Sequence, residues 1–207
     1  MARATLQSLG VLADRIAVDA QWLALALRPR GLADAPGDFS ASGWIEDIAS
    51  AVRALRSEEN AQQVFLAGLG LGGALCIAAA AADSTIGGVA TLGAPADLMA
   101  WTGDPRSFLA HARSVGLIQS ASFPPEVDQW TREWRDLRPL ELARKLNPRP
   151  VMVIHGSEDE VVPDLDARAL ADAAGDGADL RLIAGAGHHL RNDPRAVAIL
   201  LGWLSRQ

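Results

Sequence analysis

The sequence predicts an α/β protein: a three-layer, doubly wound parallel sheet of about five strands with a small helical insert. Two observations carry this. Short apolar runs at 22–27, 64–67, 86–92, 150–154 and 180–184 alternate with stretches whose apolar residues recur at helical spacing. Between the third and fourth runs, 96–148 has no strand pattern and holds only proline-started helical pieces. That stretch reads as a helical insert within one domain spanning 1–207.

Each element has its own signal. Leu9, Leu12, Ile16 and Ala20 predict a helix over 9–20. The run 22–27 is apolar at every position, as in a strand covered on both faces. A loop rich in Gly, Ala, Pro and Asp follows over 32–42. A helix over 43–57 places Trp44, Ile48, Val52 and Leu55 on one face. The strand 64–67 enters a glycine cluster, Gly68 to Gly73, and then a small-residue helix over 71–82. The third strand ends at Gly93-Ala94-Pro95. Pro105, Pro125 and Pro139 open the three helical pieces of the insert. A helix over 163–174 is ended by Gly175, and an amphipathic helix over 194–205 follows the last strand.

Composition narrows the function classes. A chain of 207 residues, 49% apolar, can bury a large core. A formal charge of −6 argues against nucleic-acid and anionic-membrane partners. The lone cysteine, Cys76, leaves no intramolecular disulfide and no cysteine-based zinc site, and His188-His189 lack ligand spacing. No metal or cofactor is expected. No secretory leader pattern and no 18-residue apolar run is found, so the expected location is cytoplasmic. Lys145 is the only lysine among 19 basic residues, which suggests a GC-rich bacterial genome.

Three motifs carry chemistry. Gly68-Leu69-Gly70-Leu71-Gly72 lies on a strand, tight turn and helix, the setting of a nucleophile elbow, G-x-S-x-G, with Gly70 in the serine position. The run 149–163 is a buried-strand pattern ending in His155-Gly156-Ser157-Glu158-Asp159. The run 180–190 is another, ending in Gly185-Ala186-Gly187-His188. The order nucleophile slot, acid, histidine resembles the α/β-hydrolases, of the small esterase, dienelactone-hydrolase and serine-aminopeptidase-like kind. The resemblance runs from about Leu12 to the C-terminus. It includes Arg30-Gly31 and Gly37-Asp38-Phe39-Ser40 in the loop before the elbow.

The resemblance implies roles. His188 takes the base position and Asp159 the acid that orients it, with Glu158 and Asp164 as fallbacks. Gly70 is a nucleophile slot with no side chain, and the Leu71 N–H is one oxyanion donor. The family places a small helical lid after the strand that follows the elbow, so the resemblance makes 96–148 a small helical lid, with Trp101, Trp130 and Trp134 in it as packing or as a ligand-pocket wall. His189 faces away, His155 ends a strand, and Cys76 is a buried, inert thiol.

In the family, a strand ending in His-Gly lies between those represented here by 22–27 and 64–67, and its loop gives the other oxyanion donor. Residues 1–10 carry no such pattern. The two flanking strands pair directly, a partner chain fills the gap, or the chain is truncated. Direct pairing in a five-stranded sheet is the expectation adopted.

The implied function is a degenerate hydrolase that lacks serine-type ester, thioester or peptide hydrolysis and keeps a pocket for a small acyl or ester-like ligand, or acts as an interaction protein or homodimer. An alternative is an active hydrolase of small acyl esters using another nucleophile or an activated water. A third reading, of another class, is nucleotide binding through Gly68-x-Gly70-x-x-Gly73. That fingerprint calls for an acid at the end of the next strand, which here ends Leu92-Gly93-Ala94-Pro95.

Overall fold

Four parallel strands, β1 (Phe65–Leu69), β2 (Gly88–Leu92), β3 (Val151–Gly156) and β4 (Ala178–Ile183), form one sheet in the order β1-β2-β3-β4. They are seen in a computed structural model that describes residues 2–32, 35–58 and 61–207. Nine α-helices accompany the strands among these residues: α1 (Ala2–Asp19), α2 (Ala41–Glu58), α3 (Leu71–Ala82), α4 (Met99–Thr102), α5 (Pro105–Ser114), α6 (Val127–Asp136), α7 (Pro139–Ala143), α8 (Asp164–Ala174) and α9 (Pro194–Leu204).

Both faces of the sheet are covered. Val89, Val151 and Val153 point into the layer of α2, α3, α7 and α8. Their neighbours Ala90, Leu92, Met152 and Ile154 point the other way, against Val197, Leu200 and Leu201 of α9. Alternation along a strand combined with two apolar layers explains why these runs are apolar at every position. Burying each such side chain contributes about 1.5–3 kcal/mol. α3 lies close on β1 because its glycines allow it. A Cβ on Gly68 would collide with the Gly72 carbonyl, and one on Gly73 would come within 2.8 Å of the Ala94 Cβ.

The insert divides in two. α7 packs against α3 and α8 in the body of the protein. α5 and α6 instead close on Phe39 of the preceding loop. Phe39 stacks on Trp134 at 4.4 Å, Phe108 stacks on Trp130 at 4.8 Å, and the Trp130 Nε1–H donates to the Phe39 carbonyl at 2.7 Å.

The predicted strand at 22–27 is corrected. The segment makes no backbone hydrogen bond to β1, so the sheet has four strands among the described residues rather than five. Each end of the segment is held elsewhere. The Trp22 Nε1–H donates to Leu204 O at 3.1 Å, and its ring meets Phe65 edge-on at 5.2 Å. At the other end, Arg30 pairs with Asp47 at 2.6 Å, and its carbonyl accepts from the Trp44 indole at 2.8 Å. A cavity of about 540 Å³ lies between the segment and β1.

Candidate active site

The site lies where the strands end. β1 runs into Gly70, which has φ +52° and ψ −125° and precedes the first residue of α3. That conformation costs a residue with a side chain about 1–3 kcal/mol, and glycine avoids the cost. The Gly70 N–H donates to Leu92 O at 2.8 Å and its carbonyl accepts from the Gly73 N–H at 2.9 Å, which locks the turn. The N–H of Leu71 opens α3 and has no acceptor among the described residues.

The acid and the histidine come together from two other strands. Asp159 follows β3 and His188 follows β4. His188 Nδ1 lies 2.9 Å from Asp159 Oδ2 and 3.1 Å from Oδ1. Asp159 Oδ1 also accepts from the N–H groups of Val161 and Val162, each at 2.9 Å. Burial pushes the Asp159 carboxyl up. The Val162 and Val161 N–H groups and the His188 ring outweigh that and hold it below the usual carboxylate range. A carboxylate here fixes the Nδ1–H tautomer of His188 and leaves Nε2 as the free acceptor. Nε2 points at Gly70: a Cβ built on Gly70 would lie 3.3 Å from it.

Two glycines, Gly93 outside the three motifs and Gly156 within the acid motif, make room for this pair. Gly93, at the end of β2, has φ +66°, and a Cβ there would lie 3.3 Å from Asp159 Oδ2 and 3.4 Å from His188 Nδ1. A Cβ on Gly156 would collide with the Ala186 carbonyl, so that glycine lets the two loops touch. Gly93 adjoins the next strand's end, which is a usable sequence signal. His155 is fully buried; its Nε2–H donates to Val162 O at 2.9 Å and lies 3.4 Å from Asp159 Oδ2. It braces the acid loop from below.

The remaining sequence-predicted residues fall elsewhere. Trp130 and Trp134 are buried in the aromatic cluster, Trp101 packs partly buried beside it, and none of the three lines the cavity. Trp44 and Leu117 do line it. The hydrogen-bonded partner of His188 is Asp159 rather than Glu158 or Asp164, and Asp164 opens α8 beside Arg168. His189 is exposed. Cys76 lines the cavity, but burial pushes its thiol up to about 12, so it is protonated at neutral pH. Among the described residues no group of three or more His, Cys, Asp or Glu side chains could hold a metal ion, and no helix is long and apolar enough to cross a membrane.

A parallel sheet covered on both faces, with a glycine elbow, an acid and a histidine at the carboxyl ends of its strands, defines a class of α/β protein. The family profile described as alpha/beta hydrolase family matches residues 6–199, and the chain belongs to that family. Comparison with curated proteins finds no match. Solved structures share the fold. A meta-cleavage product hydrolase from Pseudomonas fluorescens is 20% identical with a TM-score of 0.68, covering 97% of this chain and 86% of that one. A monoacylglycerol lipase from Paleococcus ferrophilus is 19% identical with a TM-score of 0.68, covering 95% and 89%. A Mycobacterium tuberculosis protein assigned as a non-heme bromoperoxidase is 19% identical with a TM-score of 0.64, covering 88% and 81%.

Proposed function

We propose that this protein is a degenerate hydrolase: it has lost serine-type hydrolysis and keeps a pocket for a small, apolar acyl or ester-like ligand. The observation that carries the reading is Gly70 itself. It holds the positive-φ turn of an elbow with His188 Nε2 aimed at the place a side chain would occupy, yet offers no atom to attack. The cavity that opens from Gly70, Leu71 and His188 is lined by side chains such as Ile48, Val52 and Leu75, which favours an apolar ligand. The Leu71 N–H supports a carbonyl or carboxylate oxygen at the cavity's mouth.

A second reading has one observation in its favour. His188 Nε2 is a free acceptor beside open space, so it is placed to take a proton from a water. Hydrolysis of short p-nitrophenyl esters by the unmodified protein and by His188→Ala separates the two. The degenerate reading expects no turnover above background from either, together with calorimetric binding of octanoate. Turnover by the unmodified protein that disappears in His188→Ala would replace it with the activated-water reading. Nucleotide binding is disfavoured because His188 covers the Gly70 turn and β2 ends in Gly93 rather than an acid.

A further inference from the structure

One cation beside the elbow has no partner. Arg191 lies on the single 3-10 turn Leu190–Asn192, three residues after His188, and lines the cavity together with His188 and Gly70. Five of the described arginines are half-buried. Four of these have partners for the guanidinium. Arg30 pairs with Asp47 and Glu46, and Arg56 with Asp83 and the Thr85 carbonyl. Arg135 donates to the Thr102 carbonyl, and Arg149 to the carbonyls of Asp83 and Ile86. Arg191 makes no hydrogen bond and no ion pair, and its Nε is buried. Among the described side chains that line the cavity it is also the only one with a fixed charge.

We propose that Arg191 anchors a carboxylate, so that the ligand of this site is a free acid with an apolar chain rather than a neutral ester. A guanidinium taken partly out of water without a partner is unfavourable, and the partner is to be sought in a molecule that the site binds. Its Nε–H and Nη N–H groups are all open, which leaves the planar fork that grips a carboxylate through two parallel hydrogen bonds. The nearby acids are already engaged. Asp159 is held by His188 and by the N–H groups of Val161 and Val162, and Asp193, two residues on, pairs with Arg195. A free acid has no ester bond to cleave, in keeping with an elbow that has no hydroxyl. The inference rests on the reading that the site binds an acyl ligand, and concerns only its elbow end. Arg191 also borders a smaller pocket of about 270 Å³ beside Arg15, where a bare anion would need no chain.

Calorimetry on the full chain tests it with three probes: octanoate, octanol and acetate. The first two share a chain and differ in the head; the third has the head alone. The unmodified protein binds octanoate at least about tenfold more tightly than either of the others. Arg191→Gln brings octanoate and octanol to within about threefold of each other, and Arg191→Lys, which keeps the charge and loses the fork, falls between. Arg191→Gln also melts no lower than the unmodified protein, because the guanidinium gives up no contact; a merely structural role would lower the melting temperature. Equal affinities for octanoate and octanol in the unmodified protein would overturn the anchor and leave the apolar-ligand reading standing, and that comparison needs no variant to fold. An Arg191→Gln protein that keeps its full preference for the acid would overturn it too. So would acetate bound as tightly as octanoate, which would mark a bare-anion site. Binding of neither octanoate nor octanol would overturn both the anchor and the ligand reading on which it rests.

Discussion

Replacing Gly70 with serine adds a Cβ in a gap whose nearest neighbour is His188 Nε2, 3.3 Å away. A hydroxyl on that carbon falls within hydrogen-bond reach of Nε2, about 2.6–3.2 Å. The ring must give a few tenths of an ångström, and with 23% of its side chain exposed it has room to do so. The backbone at φ +52° adds strain. That strain is about 1–3 kcal/mol, which for a domain of this size lowers Tm by roughly 2–12 °C. Against this stands the chemistry. Removing the nucleophile from an intact serine protease costs about 10⁶ in kcat, or about 8 kcal/mol. Gly70→Ser should recover several of those decades on p-nitrophenyl butyrate. The assay is stopped-flow release of p-nitrophenolate. The variant is expected to give a burst approaching one equivalent per protein and then slower turnover; the unmodified protein gives no burst, and Gly70→Ser with His188→Ala loses it. A folded Gly70→Ser protein without a burst would refute the reasoning that the elbow and the His188–Asp159 pair are set for acyl transfer.

Other outcomes follow from the same geometry. Gly93→Ala puts a Cβ 3.3 Å from Asp159 Oδ2 at φ +66°, so thermal melts should show a loss of about 1–3 kcal/mol. Trp134→Ala empties the centre of the aromatic cluster, where Trp134 stacks on Phe39, and should cost about 3–5 kcal/mol in urea unfolding. The Asp159 carboxyl is held below its ordinary range in the fold, so its stabilisation is present above that range and fades as pH falls through the depressed value. Asp159→Asn should remove that part of the acid-unfolding limb in a pH titration followed by circular dichroism. Asp166 behaves in the opposite sense. Burial raises its carboxyl despite the Ala96 N–H, and the Asp97 charge adds to the rise. The ionised form is therefore destabilising near neutrality. Asp166→Asn should raise the urea midpoint at pH 7, with the gain shrinking as pH falls through the raised value and the native carboxyl takes up its proton.

Much of the fold and of the candidate site was legible because the signals are local. Strands buried on both faces are apolar at successive residues, so β2 and β3 stand out from the helices between them, whereas β4 at the sheet's edge carries Asp179 and Arg181. Gly70 follows β1 directly, and Asp159 and His188 lie in the loops just after β3 and β4, so each is placed at the sheet's carboxyl edge whatever the long-range packing. The tryptophans were not legible in the same way. Their spacing places them on helices, but Phe39, Trp44 and Phe108, all distant in sequence, are what Trp130 and Trp134 turn into the core against.

By itself, then, the sequence determined the class of fold, the order of its elements and the three strand ends where chemistry gathers. Hydrophobic periodicity and turn residues report which faces are covered, and they act within a few residues. Tertiary structure alone decided whether 22–27 joins the sheet, that Gly93 and Gly156 give the acid and histidine room to meet, and that His155 braces the acid loop. Each of these depends on a hydrogen bond or a close approach between residues far apart in the chain. An apolar run states that a segment will be buried, and does not state which backbone it will pair with.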